Sequence, residues 1–235
     1  MRTKPRSPSR VTISILSAMN TAVRSAAFVV SFWPFLMAVT PAAAQELWKP
    51  PNVYGSLPGG LKASVTDEII TRLRVGDITV SLDETPIENV RAKFAATIGS
   101  TGDAAESFTW ICAQGTDPDG RWALWLAHGE DGDNVDSFQW RRLSPHEKAD
   151  GRCPILAQSA RGVELPGPIR LGTVRRQVLV VLGRPTVEQE NTLVYVHEHP
   201  ASIHGQNYTS HNSVVILLRQ GAVYAIAAHK YKIWE

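Results

Sequence analysis

The sequence predicts an α+β fold of two tandem units, each a short helix packed on an antiparallel sheet of about three to four strands. Three observations carry this expectation. A short amphipathic run that opens on threonine and closes on glycine occurs twice, each copy is followed by three apolar, β-branched runs, and turn-forming residues separate those runs. Residues 78–142 make the first unit, 143–168 a linker and 169–235 the second unit.

In the first unit the helix opens at Thr85-Pro86-Ile87-Glu88. Threonine three residues ahead of glutamate is a capping box, and Pro86 at the first helical position gives up only an N–H that has no intrahelical acceptor. Ile87, Val90, Phe94 and Ile98 then share one helical face, and Gly99 suits the C-terminal cap. Strands follow over 107–114, 121–128 and 135–142. Asp117-Pro118-Asp119-Gly120 and Glu130-Asp131-Gly132-Asp133 are the turns between them.

The second unit repeats the order. Thr173 is the N-cap, Val174, Val178, Val181 and Leu182 form the apolar face, and Gly183 with Pro185 just beyond stops the helix. Strands over 193–199, 213–219 and 222–233 come next, the last two joined by Gln220-Gly221.

Ahead of both units, residues 1–44 read as a secretory signal peptide. The segment holds Arg2, Lys4, Arg6, Arg10 and Arg24 and no acid, then an apolar stretch from Ala26 to Val39, then Pro41-Ala42-Ala43-Ala44. Small residues at −3 and −1 place cleavage after Ala44, and Met19 is an alternative start with a more ordinary basic region. The apolar stretch is interrupted by Pro34 and is shorter than the roughly 20 residues of a bilayer span, so the mature chain is expected to hold no transmembrane segment. Localisation is therefore periplasmic or secreted. Residues 45–77, rich in Pro and Gly at their start, read as a leader arm.

Removing the signal reverses the charge. Five of the 24 basic residues and none of the 22 acidic ones precede Gln45, which leaves three more acids than bases. A mildly acidic chain without basic runs lacks the clustered cations that neutralise phosphates, so nucleic acid is not an expected partner. Cys112 and Cys153, the only two cysteines, read as one disulfide in an oxidising compartment.

The second unit resembles the repeat shared by the outer-membrane assembly lipoprotein E (SmpA/OmlA) family and the β-lactamase inhibitor proteins. The residues that carry this are Ile169, Gly172-Thr173, Val178, Leu182-Gly183 and Pro185, with Tyr195 and Gly221-Ala222-Val223 on the later strands. The first unit matches more loosely, through Thr85, Val90, Ile98-Gly99 and Trp110. The resemblance implies helices on one face of a sheet, a concave face left open, and protein binding without catalysis. The lipoproteins carry a cysteine at the mature start, where this chain has Gln45, and the inhibitors keep a disulfide in each repeat.

Two sets of residues are candidate sites. Trp110, Trp122, Trp125 and Trp140 fall on the strands of the first unit and Tyr195 on the second, and large aromatics on an open sheet face suit a protein-binding surface. Alternation sets Phe108, Trp110 and Cys112 on one face, and Trp122 and Trp125 on opposite faces. His197 and His199, two apart on a strand, share a side; with His204 or His211 they offer a ligand set for zinc or copper. The plainer alternatives are core packing for the aromatics and a solvated strand end for the histidines. Asp131, Asp133 and Asp136 lack the twelve-residue spacing of a calcium loop and read as solvated turns. No phosphate-binding loop, dinucleotide fingerprint or Gly-x-Ser-x-Gly occurs. The expectation is a non-enzymatic, exported, soluble protein-binding module without a cofactor, whose partner is an envelope or secreted protein. The alternative is a periplasmic metal-binding protein that uses the histidine cluster.

Overall fold

A computed structural model of the chain describes residues 49–51, 61–102, 107–129, 132–156 and 162–235. The signal peptide and its cleavage point lie outside the described residues, as do 45–48 and 52–60 of the leader arm and Glu130-Asp131 of the second turn.

In chain order the elements are β1 (Arg72–Val75), β2 (Ile78–Ser81), α1 (Ile87–Phe94), β3 (Gly99–Thr101), β4 (Phe108–Asp117), β5 (Gly120–His128) and β6 (Ser137–Arg142). Then come β7 (Val163–Glu164), α2 (Arg175–Leu182), β8 (Val187–Gln189), β9 (Thr192–Ile203), β10 (Gln206–Arg219) and β11 (Ala222–Trp234). All six strands expected from alternation are present. The β9–β10 pair runs on to a tight turn at His204-Gly205, well past the predicted ends.

The two expected helix-on-sheet units are not what forms. Strand makes up 50% of the fold and helix 10%, so the class is mostly β. Strands from both halves join in one antiparallel sheet of order β3-β4-β5-β6-β11-β10-β9-β8. The seam is β6 against β11, with Phe138 opposite Ala228 and Trp140 opposite Ile226. Both strands are apolar on the same face and would otherwise end as exposed edges; pairing them removes two edges and makes one core. Part of the leader arm and of the linker is also structured. β1 and β2, with β7 from the linker, form a second, three-stranded sheet of order β2-β1-β7.

One continuous core lies over one face of the large sheet. Leu73, Val75, Val80 and Leu82 of the small sheet region, Ile87, Val90 and Phe94 of α1, and Val178 of α2 pack against Ile111, Trp122, Leu124, Trp140, Tyr195, Val214 and Ile226. On the other face Trp110, Cys112, Trp125 and Cys153 form a smaller cluster, with Phe108 against it. The expected split of Trp122 from Trp125 is thus observed. The Cys112–Cys153 disulfide, with Cα atoms 4.9 Å apart, ties the segment after β6 down onto that cluster.

Both helices are eight residues long and neither uses its threonine as expected. Thr85 Oγ1 accepts from the Ser81 N–H at 2.9 Å, and Thr173 Oγ1 accepts from the Arg170 N–H at 2.9 Å, so each hydroxyl closes the preceding loop instead of capping the helix. α1 stops at Phe94, because Ala95 turns into the left-handed region. Ile98 therefore leaves the helical face for solvent, and Gly99 starts β3, where it packs beneath the Trp110 indole. α2 ends at Gly183 as expected, with its N–H on the Leu179 carbonyl.

The loops that enter the two helices are held alike. Ile87 N–H donates to Asp133 O and Val135 N–H to Thr85 O; in the second half Arg175 N–H donates to Gly221 O and Val223 N–H to Thr173 O. A repeated local frame therefore exists inside a single sheet.

Candidate binding cleft at the free edge of β11

The predicted aromatic surface is not on the surface. Trp110, Trp122, Trp125, Trp140 and Tyr195 are all buried to 2% exposure or less. Trp122, Trp140 and Tyr195 belong to the main core and Trp110 and Trp125 to the disulfide cluster. The Tyr195 hydroxyl donates to Gly183 O at 3.3 Å, and burial, with Glu188 adding, pushes its pKa up to about 12. Core formation claimed these rings because each lies where a helix or the tethered segment covers the sheet.

The four histidines are also divided. His197 and His199 share the core-side face, as expected. His197 Nδ1–H donates to Val65 O at 3.0 Å, so its Nε2 accepts from His199 Nδ1 at 3.1 Å. The nearest carboxylate, Glu68, accepts from Lys230 Nζ at 2.9 Å and Ser210 Oγ at 3.2 Å. Burial raises the Glu68 pKa, but the Lys230 bond and charge, with Ser210 and His199, outweigh it and hold it below the ordinary value. Register excludes His211: Asn212, not His211, lies opposite His197, so His211 points to the other face and pairs with Glu198 at 2.9 Å. His204 sits exposed at the turn. Among the described residues no group of three or more His, Cys, Asp or Glu is placed to hold a metal.

A different site emerges at the end of β11. β6 begins at Ser137, opposite His229, and the Lys230 N–H makes the last bond on that side, to Asp136 O at 2.8 Å. β10 continues to pair with β11 as far as Tyr208 opposite Trp234. Because backbone direction alternates, the N–H and C=O groups of Lys232 and Trp234 point the same way as those of Lys230, toward the side that β6 has left. Neither N–H has an acceptor among the described residues.

This edge faces a cleft of about 330 Å³ lined by Asp83, Asn134, Asp136, His229, Lys232 and Trp234, among others. Lys232 Nζ reaches Asp83 Oδ2 at 2.6 Å, while Lys230 is held by Glu68 on the core side. Asp136 Oδ2 accepts from the Gly129 N–H at 2.7 Å, and its Oδ1 is buried with no hydrogen bond among the described residues. Trp234 is 52% exposed and stands 5.2 Å from the Tyr208 ring; Ile233, on the opposite side of the strand, is 47% exposed.

Behind the cleft an aromatic array crosses the sheet. The Tyr231 ring stacks on His229 and contacts His211, which pairs with Glu198. Burial lowers the His229 pKa below 6.5; Asp136 opposes this and His211 adds to it. Burial, then Glu198, raises that of Tyr231.

Compared with models of known families, with characterised proteins and with solved structures, the chain matches none. No helix among the described residues is long and apolar enough to cross a membrane. Sequence reasoning missed Asp83, Lys232 and Trp234. Their one visible signal was the tryptophan ending an alternating strand much longer than the one predicted over 135–142.

Proposed function

We propose that the chain is an exported, soluble, non-enzymatic protein-binding module that holds an extended segment of another envelope or secreted protein by strand addition at β11. The observation that carries this reading is the pair of N–H groups on Lys232 and Trp234, which have no acceptor among the described residues and open into a cleft beside a half-exposed tryptophan. An exposed edge supplies main-chain hydrogen bonds to a guest strand, and an adjacent pocket supplies selectivity. Edge lysines ordinarily guard such edges. Here both ammonium groups are drawn off to carboxylates, Glu68 and Asp83, which leaves the edge approachable. The resemblance to inhibitor and assembly proteins points the same way.

The test places a photoreactive amino acid at Trp234 and crosslinks in the envelope fraction, comparing Lys232→Pro with Lys232→Ala. Proline deletes the edge N–H and spares the β10 ladder, which uses Tyr231 and Ile233, whereas alanine removes only the ammonium group. Crosslinking to one defined protein that survives Lys232→Ala and disappears in Lys232→Pro is the expected result. Equal crosslinking in both variants, or no specific crosslink at all, would sink the reading.

A further inference from the structure

We infer that the outward ridge of α2 binds an anionic phospholipid surface. Three of the eight large hydrophobic side chains exposed among the described residues belong to this one short helix and its start: Val180 at 77%, Val174 at 54% and Val181 at 39%. A β-branched residue at the outermost position of a helix gains no packing there and lowers helix propensity slightly, so folding does not explain Val180.

Along the chain, the charge next to these valines is basic. Arg170, Arg175, Arg176 and Arg184 fall between Pro166 and Val187, and no acid does, in a chain whose part after Ala44 is acidic overall. Arg175 is paired with Glu188. Arg170, Arg176 and Arg184 are exposed, and none has an ion-pair partner among the described residues. Val178 is the buried anchor of the helix, which turns Arg176 and Val180, four apart, to the outside together; Arg184 follows just past the Gly183 cap, where the helix has ended.

The occupant follows from the chemistry of the exposed groups. Arginine and valine side chains side by side on one exposed helix face offer cationic and apolar contacts together. They fit a deformable surface of phosphates over hydrocarbon. Guanidinium groups bind phosphate oxygens in pairs of hydrogen bonds, and short apolar side chains reach the headgroup boundary. The acidic remainder of the protein is repelled from the same surface, which orients the molecule with α2 down. The β11 edge shares no residue with this ridge, so the two readings stand or fall separately.

The test is cosedimentation of the product recovered after expression of the full chain, its N-terminus defined by mass spectrometry. It is mixed with vesicles of phosphatidylglycerol and phosphatidylcholine, or of phosphatidylcholine alone. Binding to the anionic vesicles only, released at roughly 0.5 M salt, is expected. Arg176→Glu with Arg184→Glu should weaken it at least about tenfold, and Val180→Asp should weaken it at unchanged net arginine content. Thermal melts of the variants should match that of the parent, since the substituted side chains are exposed. Equal binding to neutral vesicles, or variants that bind like the parent, overturns the inference. Failure to bind any vesicle overturns it too and leaves an acidic protein as the ridge's partner.

Discussion

The Tyr231 ring stacks on that of His229 with centroids 4.7 Å apart and planes 29° from parallel. Burial lowers the proton affinity of this half-buried imidazole in the folded state, with Asp136 opposing and His211 adding to the effect. The unfolded chain then binds more protons than the folded one just below pH 6.5, so stability must fall as pH drops through that region. We expect the melting temperature to decline between pH 7 and pH 5, and His229→Gln to flatten the decline in that window. The depressed carboxylates Glu68, Glu147 and Asp150 act lower, from about pH 4.5 downward, and should keep their effect in the variant. A decline of the same size in His229→Gln would show that another group is responsible.

Asn212 fastens the arm that covers the sheet. It is fully buried, its Oδ1 accepts from the Ile69 N–H at 2.9 Å, and its Nδ2 donates to His229 O at 3.3 Å. Asn212→Ala leaves a backbone donor without a partner, at a cost of about 1–3 kcal/mol. Limited proteolysis should then cut near 64–70 faster than in the parent, and an unchanged cleavage rate would contradict this role.

Gly115 lies across from Trp122 so closely that a Cβ would overlap the indole. Trp122 is fully buried, so the ring has no free space into which to move. Gly115→Ala should destabilise by about 1–3 kcal/mol in urea denaturation. Gly183→Ala should also destabilise, but through its positive φ of 75°, since nothing lies within 4 Å of a Cβ there. Equal stability of parent and Gly115→Ala would mean that Trp122 repacks freely.

The disulfide closes a sequence separation of 41 residues. Replacing both Cys112 and Cys153 by alanine should cost roughly 4 kcal/mol in the chain-entropy model. Because the bridge holds the segment after β6 onto Trp110 and Trp125, near-ultraviolet circular dichroism should change as well. A loss under roughly 1 kcal/mol would indicate that the 143–153 segment is held by its other bonds, such as Gln114 Nε2 to Cys153 O at 2.7 Å.

Much of the local structure was legible and most of the site was not. Period-two alternation in 108–128 correctly separated Trp122 from Trp125, because side-chain direction along one strand is a local property. Whether a face meets solvent depends on what packs against it, and the elements that do so are far away in sequence. The same limit applies to the histidines. His197 and His199 share a side by alternation alone, whereas the side that His211 takes depends on the β9–β10 register, which a shift of one residue would reverse. The cleft was invisible for the same reason, since Lys232 becomes an edge residue only because β6 starts late, at Ser137.

By itself the sequence determined the six long strands, the glycine that ends α2 and the one possible cysteine pairing. These follow from dihedral preference, from alternation and from having only two thiols. The tertiary structure alone decided that the two sets of strands merge at β6 and β11, that the tryptophans are core, and that the open edge lies beside Asp83 and Trp234. Those outcomes rest on hydrogen bonds and burial between distant segments. No local pattern encodes which apolar strands will close each other's edges.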